Sequence, residues 1–195
     1  TVAGSEGQLP GAAQKFDPKE LGEYWASNLK LELLGGPKKE LMEDLAACPL
    51  NLVAFSNGPR IYVKRVLKEL GLWEVFGEDR LFAVDDVLPH CKPEKEAFQV
   101  VFDSLGVKAE ECVIIEDSMK NLRRSKSLGL KTVAVIGKGR KRRSTSESSN
   151  APKHFQPGDV PVENDPSVDV CIEVVEELRT TLPGLWDTPG RFGSP

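Results

Sequence analysis

The chain has 195 residues, of which 39% are hydrophobic and 29% are charged, and these values are typical of one globular domain. A domain of this length buries roughly 70% of the surface that its unfolded chain exposes, so it can form a core without disulfides. No stretch approaches the roughly 20 apolar residues that span a bilayer, and a net charge of −4 argues against a general nucleic-acid binder. We therefore expect no membrane partner and no specific nucleic-acid partner.

The cysteines indicate a reducing environment. Four are present and none forms a CxxC pair, which excludes zinc ribbons and thioredoxin-like motifs. Free thiols are the simplest interpretation, with Cys112 and Cys171 buried in apolar runs. We expect an intracellular protein, either cytoplasmic or nuclear.

The first part of the chain divides into two segments. Residues 1–16 have many small side chains and no apolar period, which predicts a disordered lead-in. Residues 17–49 have helical periodicity, with Pro18 suited to a first helical turn and a break at Gly35-Gly36-Pro37.

From residue 50 onward, strand-like and helix-like segments alternate. The apolar, strand-like runs lie at residues 51–56, 81–84, 112–115, 131–136 and 168–172. The helical patterns lie at 59–70, 93–105 and 118–128, and each is followed by glycine. Continuous apolar strands separated by helices predict a parallel sheet that is covered on both faces. The predicted fold class is a three-layer, doubly wound α/β core that comprises residues 50–137 and 167–187.

Residues 138–166 interrupt this alternation. Five basic residues are followed by serines and then by four prolines, which predicts a flexible basic and proline-rich insertion. The basicity is local, because removing those five charges takes the net charge from −4 to −9. One interpretation is a solvated loop, and the other is a nuclear-import, phosphorylation or protein-partner patch within residues 138–149. Residues 188–195 are expected to form a frayed tail.

Polar residues follow three of the predicted strands, at the edge where open parallel sheets bind ligands. Ser56-Asn57 follow the first strand, Lys92 precedes the helix after the second, and Glu116-Asp117 follow the third. A hydroxyl and an ammonium suit phosphate oxygens, whereas adjacent carboxylates suit Mg²⁺. Both requirements meet in phosphoryl transfer, so a small phosphorylated substrate is the expected partner.

Each of these residues also has a purely structural interpretation. Ser56 or Asn57 would cap the following helix, and Lys92 would be an ordinary surface charge. The acidic pair would complement a helix dipole. Three such residues at the ends of neighbouring strands favour a shared site.

The combination resembles the haloacid dehalogenase (HAD) superfamily, and within it the pyrimidine 5'-nucleotidase-like group. The likeness covers residues 20–137 and 167–187. The motifs that carry it are Val53-Ala-Phe-Ser56-Asn57, Lys92-Pro93-Glu94 and Val113-Ile-Ile-Glu116-Asp117-Ser118. It implies a HAD-like Rossmannoid core with the remnant of a helical cap at residues 17–49.

The resemblance also implies an activity. The family's enzymes are Mg²⁺-dependent phosphomonoesterases, and this group acts on nucleoside 5'-monophosphates or similar small phosphate esters through an aspartyl-phosphate. Ser56 and Asn57 would bind the transferring phosphate and Lys92 would neutralise it. Asp117 would hold Mg²⁺ with help from Glu116, and Asn121 would brace the metal loop.

The family's first motif, an Asp-x-Asp after an apolar strand that supplies the nucleophile, does not occur in the sequence. Phe82-Ala-Val-Asp85-Asp86 is a superficial candidate, but it lies where a different strand belongs. The resemblance therefore implies a truncated chain that begins inside the cap, with the nucleophile segment upstream. The alternative is a catalytically inactive relative that binds phosphate or a protein.

Overall fold

The structure is a computed structural model that describes residues 18–138 and 164–187. The predicted lead-in at 1–16, most of the predicted insertion at 138–166 and the predicted tail at 188–195 lie outside the described residues. Helices and short parallel strands alternate through the described core, which confirms the α/β fold class. No helix in the described ranges is long and apolar enough to cross a membrane.

The elements follow one another much as the sequence predicts. The strands are β1 (Ala54–Phe55), β2 (Leu81–Phe82), β3 (Val113–Glu116), β4 (Lys131–Val135) and β5 (Val170–Ile172). The helices are α1 (Pro18–Ser27), α2 (Lys39–Ala46), α3 (Arg60–Glu69), α4 (Trp73–Phe76), α5 (Val84–Val87), α6 (Lys95–Leu105), α7 (Met119–Leu128), α8 (Leu178–Thr181) and α9 (Gly184–Asp187). Short 3₁₀ helices lie at Leu31–Leu34, Ala109–Glu111 and Val175–Glu177.

The strands form two separate parallel sheets. β1 pairs with β2, while β4 lies between β3 and β5. Within the described residues, no strand pairing joins β1 to β3. The sequence pattern predicts a single sheet, and the difference arises because no described strand fills the position between β1 and β3.

Among residues 18–138 and 164–187, no strand pairs with the edge of β1 that faces away from β2 or with the edge of β3 that faces away from β4. The amides of Ala54 and Ser56 donate to carbonyls at the β2 side, so the backbone of Phe55 is turned to the opposite edge. In β3, the side chains of Val113 and Ile115 are 36% and 38% exposed. Such exposure is unusual in a parallel sheet, whose strands are normally covered on both faces.

Helix α6 packs against strands of both sheets. Its sequence places Ala97, Phe98, Val101 and Phe102 on one buried face, and Gly106 ends the helix with a φ of 65°. Phe98 and Phe102 belong to a cluster that packs against Phe55 of β1 and Ile114 of β3. This helix therefore holds the two sheets in one core.

The N-terminal helices pack against the core, as the helical periodicity of 17–49 allows. A Cβ at Gly22 of α1 would lie 3.1 Å from Cβ of Pro59, so glycine permits the close approach of α1 to the start of α3. The indole Nε1 of Trp186 donates to the carbonyl of Asp44 at 2.7 Å, which ties α9 to α2. The assignment of 17–49 as a cap remnant stays a prediction.

Two details of the core differ from the sequence prediction. The helical period places Ile61 with Val66, Leu67 and Leu70 on one face of α3, but Ile61 is 45% exposed, whereas Val63 and Leu67 are buried. Residues after Phe82 turn into α5 instead of continuing the strand, because the carboxylate of Asp86 accepts the amide of Ala83 at 2.7 Å.

The cysteines also differ from expectation. Cys112 and Cys171 are half-buried rather than buried; Cys112 directly precedes β3 and Cys171 lies in β5. All four cysteines are free thiols. Burial raises the pKa of the Cys112 thiol, with the neighbouring Glu111 and Glu110 charges adding to the effect.

Two ion pairs hold the segment that leads into β5. Arg123 contacts the buried Asp165 at 2.8 Å, and Lys126 pairs with Asp169. Burial by itself would raise the pKa of Asp165, but the amide of Ser167 and the guanidinium of Arg123 outweigh it and lower that pKa. These contacts fix the chain where it re-enters the sheet.

Candidate active site

The carboxyl ends of β1 and β3 line one cavity of about 590 Å³ together with the loop before α6. The five residues predicted as site residues, and Asn121, all lie in its wall. They are Ser56, Asn57, Lys92, Glu116, Asp117 and Asn121. Three segments that are far apart in sequence therefore meet at one place, as expected for parallel strands with a common carboxyl edge.

Lys92 is a buried cation at the bottom of this arrangement. It is 8% exposed, and its Nζ donates to Oε2 of Glu116 at 2.7 Å and to the carbonyl of Phe55 at 2.8 Å. The ring centroid of Phe55 lies 4.9 Å from the same Nζ. The interpretation of Lys92 as an ordinary surface charge is therefore wrong. A buried ion pair is expensive to desolvate and persists only where such hydrogen bonds compensate it.

Asn57 positions the lysine through the backbone. Its Nδ2 donates to the carbonyl of Lys92 at 2.8 Å, and the amide of Lys92 donates to its Oδ1 at 2.9 Å. The side chain thus joins the end of β1 to the loop before α6. It does not cap α3, whose N-cap residue is Pro59 and has no side-chain cap.

Ser56 forms a tight turn with the glycine that follows Asn57. Its Oγ accepts the amide of Gly58 at 3.0 Å, so the hydroxyl still has a hydrogen to donate. A Cβ at Gly58 would lie 3.3 Å from that Oγ and equally close to Tyr62 and Val63. The sequence reasoning missed Gly58, although its place directly after Ser-Asn at a strand end is a signal for a tight turn.

The acidic pair and Asn121 line the same cavity. Glu116 is buried and its Oε1 accepts the amide of Asp117 at 3.2 Å, whereas Asp117 itself is exposed to the cavity. Asn121 is 5% exposed, and its Oδ1 has no hydrogen-bond partner among the described residues. An orphaned buried oxygen is costly, and here its residue lines the same cavity as two acidic residues.

This donor set fits magnesium. Carboxylate and amide oxygens are the ligands that Mg²⁺ takes from proteins, and the unpaired Oδ1 of Asn121 is an oxygen without another function in the fold. Asp117, Glu116 and Asn121 are the residues that would hold the ion. That Asn121 braces the metal loop, as the resemblance implies, stays a prediction.

Asp85 and Asp86 lie elsewhere. Asp86 lines a second cavity of about 490 Å³, and its carboxylate pairs with the guanidinium of Arg60 at 2.8 Å. Asp85 accepts the backbone amide of Arg60 at 2.6 Å. Burial by itself would lower the pKa of Arg60, but Asp86 and Glu78 outweigh it and raise that pKa. These carboxylates belong to a structural network, in agreement with their rejection as nucleophiles.

Known proteins resemble the chain in sequence and fold. The family profile of haloacid dehalogenase-like hydrolases matches residues 5–129. A phosphoglycolate phosphatase from Colwellia psychrerythraea is 28% identical over 97 residues, which are 50% of this chain and 42% of that protein.

Solved structures show the same fold. An L-2-haloacid dehalogenase from Xanthobacter autotrophicus superposes with a TM-score of 0.57 at 20% identity, covering 74% of this chain and 59% of that one. A HAD phosphatase from Thermococcus onnurineus superposes with a TM-score of 0.54 at 24% identity, covering 87% of this chain and 66% of that one. The chain spans less than half the length of the curated relative and at most two thirds of either structure.

Proposed function

The chain belongs to the haloacid dehalogenase-like hydrolases, and we propose that it carries the phosphate-binding and metal-binding part of a Mg²⁺-dependent phosphomonoesterase. The observation that supports this function best is the buried Lys92–Glu116 pair at 2.7 Å, within the same cavity wall as Ser56 and Asp117. A protein that needed only stability would gain little from such a pair, because well-packed apolar residues are as good or better.

Each side chain of the cavity has a function in binding a phosphate monoester. The hydroxyl of Ser56 donates to a phosphate oxygen, and the ammonium of Lys92 offsets the negative charge that meets there. Asn57 holds the Lys92 loop in place through its two backbone hydrogen bonds. Magnesium, when bound by Asp117, Glu116 and Asn121, supplies charge stabilisation to the phosphoryl oxygens.

We further propose that an aspartate from outside this sequence is the nucleophile. Its carboxylate oxygen attacks phosphorus, the ester P–O bond breaks, and the departing alkoxide takes a proton from water. A water molecule then hydrolyses the aspartyl-phosphate, which releases phosphate and restores the carboxylate. The open edges of β1 and β3 support this, because one parallel strand between them would satisfy both edges and end at the cavity. It would also cover Val113 and Ile115.

The proposed substrates are small phosphate monoesters, with nucleoside 5'-monophosphates first. The identity of the curated relative adds 2-phosphoglycolate to the candidates. A cavity of about 590 Å³ admits either compound.

The test measures phosphate release from a panel of these monoesters, with Mg²⁺ or with EDTA. It compares the 195-residue chain with the chain extended by the residues that the transcript encodes upstream of Thr1. We expect Mg²⁺-dependent turnover by the extended protein, and its loss in the Lys92→Met variant of that protein. An extended protein that hydrolyses none of the esters would refute the proposal.

The second candidate is a non-catalytic phosphate-binding or protein-binding relative. It is favoured by one observation, the absence of any Asp-x-Asp in the 195 residues. An upstream sequence without that motif, together with Mg²⁺-dependent phosphate binding but no turnover, would select this alternative.

A further inference from the structure

A second group of metal-ligating side chains lies on the loop that carries Lys92 and on the start of α6. His90, Glu94 and Glu96 each present one donor atom, and the three atoms lie within 4.8 Å of one another. His90 Nδ1 is 2.8 Å from Oε2 of Glu94. Within residues 18–138 and 164–187, this is the one group of three or more such side chains at metal-binding spacing.

The donor types differ from those of the cavity wall. Glu116, Asp117 and Asn121 offer oxygen alone, which suits a hard ion, whereas His90 adds an imidazole nitrogen. One histidine with two carboxylates suits zinc, which binds nitrogen and oxygen donors at about 2.0–2.2 Å and accepts a water at an open position. Donors at that distance from a tetrahedral ion lie roughly 3.3–3.6 Å apart.

Binding of the ion would draw the donor atoms together from separations of up to 4.8 Å. The exposed fractions of the side chains are 40% for His90, 51% for Glu94 and 46% for Glu96, so solvent reaches all three. The backbone beneath them is fixed, because the amide of Glu94 donates to the carbonyl of Cys91 at 2.8 Å. A fixed backbone lowers the entropy cost of bringing the donors together.

An ordinary surface ion pair explains only part of this arrangement of three side chains. It accounts for His90 beside Glu94, and such exposed pairs contribute at most about 1 kcal/mol. It does not account for Glu96 as a third donor, whose nearest described cation is Lys95 at 4.0 Å, the outer limit of an ion pair. Two carboxylates held together at one imidazole favour a divalent cation between them.

We propose that His90, Glu94 and Glu96 form a zinc site with one position open to water, separate from the magnesium donors. The site joins the Lys92 loop to the first turn of α6. Zinc binding therefore stabilises the folded chain and restrains the loop, whether or not the protein hydrolyses phosphate esters.

The test titrates the 195-residue chain with Zn²⁺ by calorimetry, after circular dichroism has shown each variant folded. We expect one equivalent to bind, and affinity to fall at least about tenfold in His90→Ala and in the Glu94→Gln/Glu96→Gln double variant. His154→Ala, which removes the other histidine, and Glu74→Gln, an exposed acid on α4, serve as matched controls and bind as the unchanged chain does.

Cobalt absorption distinguishes these donors from the cysteines. With Co²⁺ bound at this site, we expect visible d–d bands without the near-ultraviolet band of a thiolate–cobalt bond. A thiolate band, equal Zn²⁺ affinity in the His90→Ala variant, or no binding by the unchanged chain would each overturn the proposal. Magnesium-dependent phosphate binding, measured on the same variants, is expected to stay unchanged. A failure of the zinc proposal can therefore be told apart from a failure of the proposed function.

Discussion

Two cavities in the described part of the chain are similar in size and opposite in character. The first contains a buried ion pair, Lys92–Glu116, and the orphaned Oδ1 of Asn121. The second surrounds Arg60, whose guanidinium contacts Asp86 and other acceptors near the surface. In the first, the polar groups carry a desolvation cost that a ligand would offset; in the second, they satisfy one another. Charge alone does not mark a binding site, whereas unsatisfied or buried charge does.

The largest expected effect follows from the buried pair. Lys92→Met leaves Glu116 without its partner, and breaking a buried pair from one side costs about 3–5 kcal/mol in the free energy of unfolding. Urea denaturation measures this loss. If the variant were as stable as the unchanged chain, this would contradict the conclusion that Lys92 and Glu116 form a buried ion pair.

The double variant Lys92→Met/Glu116→Gln separates stability from function. Removing both charges avoids the unpaired carboxylate, so most of the lost stability returns. Phosphate binding does not return, because the ammonium that offsets the phosphate charge is still absent. Recovery of phosphate binding in the double variant would show that Lys92 acts only through Glu116.

A smaller effect is expected at the second cavity. Arg60→Ala removes hydrogen bonds to Asp86 and to the carbonyl of Leu81 and lowers the free energy of unfolding by about 1–2 kcal/mol. Phosphate binding, measured by calorimetry at the same Mg²⁺ concentration, stays within twofold. A large loss of binding would place Arg60 in the functional site.

Asn121→Leu tests the orphaned oxygen directly. Because only Oδ1 lacks a partner, removing its desolvation cost offsets the loss of the rest of the amide, and the free energy of unfolding changes by no more than about 1 kcal/mol. The same change removes a proposed magnesium donor, so the Mg²⁺ dependence of phosphate binding weakens. Chemical denaturation and calorimetry on one preparation report both effects, and a destabilised variant with normal Mg²⁺ affinity would contradict the assignment.

The smallest effect concerns the contacts before β5. The pKa of Asp165 is lowered from 3.8 in the fold, so its stabilising contribution is complete above pH 3.8 and is lost as the pH falls through the lower, folded value. We expect the Asp165→Asn variant to lose stability less steeply than the unchanged chain below pH 3.8. Parallel slopes in thermal unfolding across that range would contradict this.

The sequence predicts the location of the site better than its interior. Ser56, Lys92 and Glu116 could be placed at one sheet edge because strand ends are visible as apolar runs followed by polar residues. The burial of Lys92 could not be predicted, since it depends on Glu116 and on the carbonyl of Phe55, which are distant in sequence. The two hydrogen bonds between the Asn57 side chain and the backbone of Lys92 could not be predicted either, because such contacts leave no periodic pattern in the sequence.

The contacts of Arg60 and the division of the strands into two sheets could not be predicted from the sequence pattern either. Arg60 contacts groups from Glu78 to Asp86, and only the folded chain brings them together. The missing Asp-x-Asp motif follows a strand in the family, and among the described residues no strand pairs with the outer edges of β1 and β3. The apolar pattern alone predicted a continuous sheet, because strand-like runs do not record which neighbour they pair with.

The most direct test of the central claim is calorimetric titration of the 195-residue chain with inorganic phosphate, with and without Mg²⁺. We expect phosphate binding that requires Mg²⁺, is absent in the Lys92→Met/Glu116→Gln variant and is retained in the Arg60→Ala variant. Phosphate binding that is equal in the double variant and independent of Mg²⁺ would contradict it.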